Sequence, residues 1–499
     1  MVNARRTPNV SFSRISVLGL LMSLVSLVII LRLAYWQLFS QVKLSETAAK
    51  QIFASESTIA QRGQIMTSDM TAVVSNQPVY ELAVDFRHLK MEKSDLAKTI
   101  APITWQLPQS VVNEASQSAK LIKDVPAEDQ RLRALLDSKS KYVSLSQHLV
   151  LNSDQIKTIT QIPGLVLIPG TYRTYTNPVP MPHVLGFVGK DKIGQEVGRY
   201  GLEGYYQREL AGRQGDMVRE TDVRGRPIPF GEDRSTVEID GRSLVTNIDR
   251  TVQYILEKEL LEGLTTYDAI GATAVVMDPK TGAILGMAST PDYHPGWYEV
   301  FPPESYTNPA VGASYEPGSI FKVLVMAGAL DSGAINLGTV CPCTNSVQIG
   351  TYTISNFDNG VYPGSSLVDI LKHSDNIGMV YISKQMGLKT MLNTFENFGI
   401  GRKTDIDLEE EMTPILRNEE DWKEIDLATS SFGQGIAVTP IQMVAAVGAL
   451  ANHGVLMKPH IVKQIIDPHR TIDIEPEAVR QAIKPETAEN MSRLMTESF

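Results

Sequence analysis

Cysteine is nearly absent from this sequence of 499 residues, since only Cys341 and Cys343 occur, with one proline between them. Two cysteines cannot form the disulfide framework of a small secreted scaffold, and neither a Cys-x-x-Cys pair nor a His-Glu-x-x-His zinc motif is present. A bridge across Cys341 and Cys343 would enclose a single residue and be strained. We therefore expect no functional role for the pair, and no metal or other cofactor.

The sequence also lacks an excess of basic residues. Lysine and arginine total 46 against 56 aspartates and glutamates, which gives a net charge of -10. No basic stripe stands out along the chain, so nucleic acid is not expected as a partner. Hydrophobic residues make up 43% and charged residues 20%, the usual composition of a folded protein. A chain of this length predicts two or three domains.

One long apolar run lies near the N-terminus. It extends over residues 15–31, continues less purely to residue 39, and has about the length that a membrane helix requires. Arginines before the run place residues 1–14 in the cytoplasm. A cleaved signal peptide is the alternative, but no small-x-small site follows closely. We favour a single-pass anchor over residues 15–39 in the lipid of the cytoplasmic membrane, where Arg32 either snorkels to the interface or contacts a membrane protein.

The rest of the chain divides into two predicted domains. Residues 40–238 have an α+β pattern without a catalytic constellation, and we interpret them as a spacer. From residue 239 to residue 499, strands flank a large helical insertion, which suggests an α/β sandwich around an antiparallel sheet. The first elements predicted there are a strand at 244–246, an amphipathic helix at 249–264, a buried strand at 273–278 and a second hairpin arm at 283–287.

A serine and a lysine three residues apart form the first candidate catalytic pair. Ser319 follows Pro317-Gly318 and opens an apolar helix, so Lys322 lies on the same helical face and can reach the serine hydroxyl. Apolar neighbours should lower the pKa of Lys322, and a neutral lysine can activate a serine nucleophile. The alternative is that Ser319 only caps the helix. A second Ser-x-x-Lys string, Ser138–Lys141, lies in a charged stretch without a helix-opening turn and is rejected.

A second polar triplet, Ser374-Asp375-Asn376, follows later in the chain. Its hydroxyl and carboxamide lie two residues apart on a short loop, so both can point into one cleft. Ser374 could pass a proton to a leaving amine, and Asn376 could hold a substrate amide. Alone, the triplet is also compatible with a helix cap or a turn. Ser-x-x-Lys followed by Ser-Asp-Asn is the motif order of penicillin-binding proteins and class A β-lactamases.

With these motifs the chain resembles the class B penicillin-binding proteins, the monofunctional peptidoglycan D,D-transpeptidases. The similarity extends over most of the chain. Further matching segments are 62–65, 183–189, 201–203, 278–282, 316–319, 432–435 and 439–442. The resemblance implies a multi-domain α+β protein with one transmembrane helix, an elongated pedestal at 40–238 and a penicillin-binding transpeptidase domain at 239–499. The septal, FtsI-like branch is favoured over the elongation branch.

The resemblance also implies the reaction and the partners. Ser319 would attack the D-Ala-D-Ala bond of a peptidoglycan stem peptide, Lys322 would take its proton, and Ser374 would protonate the leaving D-alanine. An amine of a neighbouring stem peptide would then resolve the acyl-enzyme, whereas β-lactams would leave Ser319 acylated. Expected partners are a glycosyltransferase of the FtsW/RodA type and other divisome proteins.

The third motif of the family, Lys-Thr/Ser-Gly on a cleft-lining strand, has no counterpart after Ser319. Lys280-Thr281-Gly282 precedes Ser319 in a predicted hairpin turn and is interpreted as a decoy. The expectation is therefore a transpeptidase domain incomplete at its C-terminus, and a 499-residue chain that is inactive by itself. The alternatives are a β-lactamase, which would lack the long spacer, and a non-catalytic scaffold of the cell envelope.

Overall fold

The computed structural model describes residues 14–38, 53–58, 60–105, 125–176, 178–192, 194–220, 228 and 233–498. The α-helices are α1 Arg14–Leu38, α2 Lys93–Thr104, α3 Val125–Leu136, α4 Ser153–Thr160, α5 Pro182–Leu185, α6 Gly201–Tyr205, α7 Gln207–Ala211, α8 Arg250–Thr266, α9 Pro309–Gly312, α10 Lys322–Asp331, α11 Leu367–Lys372, α12 Asn376–Asn397, α13 Glu424–Ser430, α14 Pro440–Ala451 and α15 Pro485–Glu497. Short 3₁₀ helices occupy Pro295–Val300, Pro303–Ser305, Gly318–Phe321 and Glu419–Asp421.

The strands are β1 Phe53–Thr58, β2 Ile65–Met66, β3 Ala72–Asp85, β4 Tyr142–Leu149, β5 Leu165–Tyr175, β6 Phe187–Lys190, β7 Glu196–Arg199, β8 Gly215–Glu220, β9 Ser243–Thr246, β10 Ala272–Met277, β11 Ile284–Thr290, β12 Val347–Ile349, β13 Tyr352–Ile354, β14 Val455–Met457, β15 Val462–Asp467, β16 Arg470–Asp473 and β17 Ala478–Gln481. The chain forms two compact units, residues 1–60 with 213–239, and residues 61–212 with 240–499.

The first unit contains the apolar helix and a two-stranded sheet. Helix α1 has 25 residues and a mean hydropathy of 2.5 in its most apolar window, none of which is buried. Its length and composition would let it cross a membrane, which confirms the apolar helix predicted at 15–39. In the same unit, β1 pairs with β8 in antiparallel register.

The second unit is organised around a seven-stranded sheet. Its main order is β16-β15-β9-β2-β3-β4, and β5 pairs with β3 as well. β2 and β9 run parallel, with Ile65 opposite Leu244. Because β2 to β5 precede residue 238 and β9, β15 and β16 follow it, one sheet contains strands from both predicted domains. The boundary at 238/239 stays a prediction.

A buried ion cluster links two of the segments that the sequence singled out. Glu203 lies in α6 and is fully buried. Its carboxylate accepts hydrogen bonds from Arg62 Nε at 2.6 Å and Arg173 Nε at 2.7 Å. Burial alone would raise the pKa of Glu203, but the two guanidinium groups hold it below its usual value. The segments at 62–65 and 201–203 therefore act as one structural element.

The β10–β11 hairpin forms as predicted, and Lys280-Thr281-Gly282 lies in its turn. Thr281 Oγ1 donates to Asp278 Oδ2 at 2.8 Å, and Gly282 has φ +79°. A Cβ at Gly282 would lie 2.2 Å from the carbonyl oxygen of Lys458, so only glycine fits there. This geometry gives the triplet a structural role in the turn, and its interpretation as a decoy stays a prediction.

The expectation of a buried strand is wrong in this region. All six residues of β10 are half-buried rather than fully buried. On α8, Ile255 is 50% exposed and Leu261 is 62% exposed. The helix lies against β11 through Val252 and Leu256, beside Gly286. Helical periodicity identifies the apolar side chains of α8, but it does not tell which of them a neighbour covers.

Candidate active site

Ser319 lies in a 3₁₀ turn that leads directly into α10. Gly318 has φ +62°, and its N–H donates to Gly433 O at 2.9 Å. A Cβ at Gly433 would lie 2.1 Å from Gly318 O, so the close approach of these two backbones requires glycine. The N-terminus of α10 has no side-chain cap. Ser319 is therefore not a helix cap, and its exposed hydroxyl is available for chemistry.

Lys322 follows on the first turn of α10 and is almost fully buried, with 2% of its surface exposed. Its Nζ donates to Ser374 O at 2.5 Å, Ser374 Oγ at 3.0 Å and Asn376 Oδ1 at 2.8 Å. Burial lowers the pKa of Lys322 to about 8, against the opposing charge of Asp375. Of its apolar neighbours in sequence, Phe321 is fully buried, whereas Ile320 is 53% exposed.

The connection between the serine and the lysine passes through Ser374. Ser374 Oγ donates to Ser319 Oγ at 2.8 Å and accepts from Lys322 Nζ. The direct contact predicted from helical spacing is not among the hydrogen bonds of Lys322. The structure therefore places a hydroxyl relay between the candidate nucleophile and the candidate base.

The Ser-Asp-Asn segment is held by the N-terminus of α12. Asp375 is buried and accepts hydrogen bonds from Ile377 N at 2.8 Å and Gly378 N at 3.1 Å, which makes it the N-cap of α12. Ser374 just before it has φ +50°, an uncommon conformation for a non-glycine residue. Asp375 was not predicted as a site residue, although an aspartate before an apolar helix is a recognisable capping signal.

Asn356 is a further residue that the sequence did not indicate. Its buried side chain accepts from Asn376 N at 2.7 Å and donates to Gly360 O at 3.0 Å. Asn376 Nδ2 donates in turn to Ser355 O at 3.2 Å. Twenty residues separate Asn356 from Asn376, and only the folded loop brings them together. Asn356 is a positioning residue for the Ser374–Asn376 segment.

If Ser319 is the nucleophile that the resemblance implies, replacing Asn356 by alanine should slow its acylation by about tenfold, because one buried backbone N–H next to the lysine contact is left unpaired. Asn356→Asp keeps the acceptor and should retain most of the rate. The second-order rate constant with a fluorescent penicillin and its pH profile are the measurements. A role in folding alone would lower the melting temperature but leave the acylation rate and the pH profile of folded Asn356→Ala unchanged.

A cleft of about 990 Å³ opens over the polar groups. Ser319, Ser374 and Asn376 lie in its wall, together with residues of the 352–359 loop and of the 425–434 segment. Phe357 on that loop is fully exposed. The 432–435 segment contributes Phe432 and Gln434 to the wall. Gly435 N of the same segment donates to Glu316 Oε1 at 2.9 Å. A cleft of this size suits a peptide segment.

The two cysteines lie at the base of the loop that leads to this wall. Contrary to the expectation from their spacing, Cys341 and Cys343 are joined by a disulfide, with a Cα–Cα distance of 5.1 Å. That distance is within the range a disulfide requires. Cys341 N donates to Ser365 O at 2.8 Å, which closes the loop. The expected lack of a functional role stays a prediction.

Comparison with known proteins gives two family matches. A sequence model described as the penicillin-binding protein transpeptidase domain matches residues 272–498. One described as the penicillin-binding protein dimerisation domain matches residues 57–246. The dimerisation match extends beyond the predicted boundary at 238/239, to residue 246, and the transpeptidase match begins at residue 272.

Individual relatives agree with these matches. Stage V sporulation protein D of Bacillus subtilis is 32% identical over 399 residues, which are 78% of this chain and 61% of that protein. Peptidoglycan D,D-transpeptidase FtsI of Escherichia coli is 28% identical over 347 residues, 69% of this chain and 57% of that protein. The chain thus spans about three-fifths of the length of these relatives.

A solved structure shares the fold. Penicillin Binding Protein 2X from Streptococcus thermophilus superimposes with a TM-score of 0.67 at 23% identity, covering 89% of this chain and 66% of that one. This likeness confirms the predicted multi-domain α+β architecture with a penicillin-binding transpeptidase fold.

Proposed function

The chain belongs to the class B penicillin-binding proteins, and from that premise we propose that the full-length protein containing these residues cross-links peptidoglycan as a D,D-transpeptidase through an acyl-enzyme on Ser319. The observation that carries the proposal is the relay from Ser319 Oγ through Ser374 Oγ to Lys322 Nζ, with steps of 2.8 and 3.0 Å. A scaffold would not need a buried lysine on a serine relay. The β-lactamase alternative has no comparable support in the family matches.

In the acylation half-reaction, Ser319 Oγ attacks the carbonyl carbon of the D-Ala-D-Ala bond. The hydroxyl proton of Ser319 moves to Ser374, whose own proton moves to neutral Lys322. When the C–N bond breaks, a proton returns through Ser374 to the nitrogen of the departing D-alanine. The products are free D-alanine and an ester between Ser319 and the shortened stem peptide.

In the second half-reaction, an amine of a neighbouring stem peptide attacks the ester carbonyl. The relay takes a proton from the amine and returns one to Ser319 Oγ, so the enzyme is regenerated and a new amide forms. A β-lactam would enter the first half-reaction, but its amine stays attached after ring opening. Ser319 would therefore stay acylated.

In this scheme Asn376 offers the substrate fewer hydrogen bonds than a free carboxamide could, because part of its side chain is already hydrogen-bonded within the protein. Its Oδ1 accepts from Lys322 Nζ and its Nδ2 donates to Ser355 O. One hydrogen of the Nδ2 group is left to meet a carbonyl of the stem peptide. We assign Asn376 two tasks, which are to orient the lysine and to offer a single donor to the substrate.

The acylation rate should depend on the protonation of Lys322. Because burial lowers the pKa of Lys322 to about 8, only roughly a tenth of the molecules hold the neutral amine at pH 7. Raising the pH deprotonates the base, so the acylation rate constant should rise about tenfold between pH 7 and pH 9 and then level off. Stopped-flow acylation with a fluorescent penicillin measures it. A profile that is flat from pH 6 to 9 would contradict Lys322 as the base.

We propose the cellular location and the partners of the protein from α1 and from the relatives. α1 would anchor the protein in the cytoplasmic membrane in a single pass, with the N-terminus in the cytoplasm. Arg32 is exposed on α1 and is available to an interfacial lipid or to a membrane partner of the FtsW/RodA type. The relative named FtsI favours a role in cell division with other divisome proteins. Co-purification of the full protein with such a partner from membranes, and imaging of a fluorescent fusion at the septum, test these points.

A further inference from the structure

A groove with a cationic rim lies away from the candidate active site, between the turn at 86–93 and the loop at 138–141. Its volume is about 670 Å³. Five cationic side chains and one carboxylate line it, namely Arg87, Lys90, Lys93, Lys139, Lys141 and Glu92. The groove is positively charged, whereas the whole chain has a net charge of -10. We call it the cationic groove.

The two walls of the cationic groove are fixed to each other. Phe86 N donates to Lys141 O at 3.0 Å, where the β3–β4 ladder begins. Arg87 donates hydrogen bonds to the carboxylate of Asp85 from Nε at 2.9 Å and from Nη2 at 2.7 Å. Behind the turn, a Cβ at Gly164 would lie 2.6 Å from Leu89 N, so the neighbouring backbone packs directly against it. The groove is thus preformed rather than dependent on a ligand.

Three lysines of the groove form no salt bridge with another described residue. Lys90, Lys139 and Lys141 are exposed, and among the salt bridges of the described residues none involves these three. Arg87 is committed to Asp85, and Lys93 lies 5.0 Å over the ring of Phe86. Three like charges around one groove repel each other, and an anionic partner would relieve that repulsion.

We propose that the cationic groove binds an acidic segment of another protein, in which aspartate or glutamate residues alternate with apolar side chains. The lining supplies both halves of this chemistry. Lys90, Lys139 and Lys141 can pair with carboxylates, while Phe86, Leu89 and Met91 contribute apolar surface to the same lining. Complementary charge and buried apolar area together give a specific interface.

A phosphate-rich polymer or an anionic lipid surface fits the groove less well. Bidentate phosphate recognition relies on free guanidinium groups, and the single arginine of the groove is already held by Asp85. The apolar side chains of the lining also gain nothing from a phosphodiester chain. Lysine ammonium groups act as separate point charges, which suits carboxylates spaced along an extended segment.

The test measures binding of a fluorescent peptide of alternating glutamate and leucine to the full chain, by anisotropy at low salt. Reversing the groove charges with Lys90→Glu, Lys139→Glu and Lys141→Glu should weaken binding by at least about tenfold. The matched control reverses three exposed lysines elsewhere, Lys192, Lys389 and Lys463, and should leave binding unchanged. Binding should also weaken with added salt. Melting curves confirm that both variants are folded.

Four outcomes would overturn the proposal. They are no binding of the peptide to the unmodified chain, equal loss in the control variant, equal binding of a peptide with glutamine in place of glutamate, and tighter binding of polyphosphate or of anionic phospholipid vesicles than of the peptide. The last result would assign the groove to a polymer or a membrane surface. Acylation of Ser319 should not respond to any of these lysine changes.

Discussion

Replacing Ser319 by alanine should abolish acylation by penicillin and cross-linking of stem peptides, with a fall in rate of at least about 10⁴-fold. The hydroxyl of Ser319 is the atom that forms the covalent intermediate, and no neighbouring group can substitute for it. Ser374 Oγ, 2.8 Å away, already accepts a hydrogen bond from Lys322 and serves as the relay. The measurement is gel detection of a fluorescent penicillin adduct, together with the second-order rate constant.

The sequence provides a matched control for this substitution. Ser138 opens the other Ser-x-x-Lys string, which lies on an exposed loop outside the cleft. Ser138→Ala should retain the full acylation rate, and Ser319→Ala should keep the melting temperature of the unmodified protein. If Ser319→Ala still formed an adduct at a comparable rate, the nucleophile would be another residue.

Replacing Lys322 by methionine should lower the acylation rate by roughly 10²- to 10⁴-fold, the usual contribution of a general base. Methionine fills a similar apolar space but can neither accept nor return a proton. The rise in rate between pH 7 and pH 9 should disappear as well, because the titrating group is gone. Stability should change little, since the cost of burying a cation is removed as the hydrogen bonds of Lys322 are lost.

Lys280→Met is the control for this lysine, since Lys280 stands in the Lys-Thr-Gly string of the β10–β11 turn. The variant should leave the acylation rate unchanged. A large effect there would show that the turn contributes to the site. A Lys322→Met protein with an unchanged pH profile would show that another group supplies the base.

How well the sequence predicted each part of the site depends on how far apart in sequence the interacting residues are. Ser319 lies in the 3₁₀ turn before α10 and Lys322 on the first turn of α10, so their proximity along the chain was predictable from helical spacing. Their hydrogen-bonded link through Ser374 was not. Their joining with Ser374 and Asn376 followed from motif order and resemblance, not from local rules. The structure places Ser319, Ser374 and Asn376 in the wall of one cleft. Lys322 is buried and hydrogen-bonded to Ser374 and Asn376, while the individual roles of the four residues stay proposals.

Other features could not be read from the sequence because they depend on tertiary contacts. Asn356 reaches Asn376 through a loop whose path no local pattern defines. The left-handed backbone of Ser374 aims its hydroxyl between Ser319 and Lys322, and a spacing rule predicts only a direct contact. The cationic groove draws its lysines from segments about fifty residues apart, so no basic stripe is visible along the chain.

Fold prediction succeeded where the pattern was long and strongly periodic. The N-terminal apolar helix and the β10–β11 hairpin appear as predicted within a few residues. The degree of burial was predicted less well, as β10 and α8 show. Burial depends on the partner surface, and that surface comes from distant parts of the chain.

The central claim is that Ser319 carries the stem peptide as an ester during cross-linking, and mass spectrometry tests it most directly. The complete reading frame that encodes these residues is incubated with a stem peptide ending in D-Ala-D-Ala, quenched in acid and digested. The account predicts an adduct on Ser319 with the mass of the stem peptide minus one D-alanine, which disappears on addition of an acceptor amine as cross-linked dipeptide forms. An adduct on another residue, or release only of hydrolysed peptide in the presence of the amine, would contradict it.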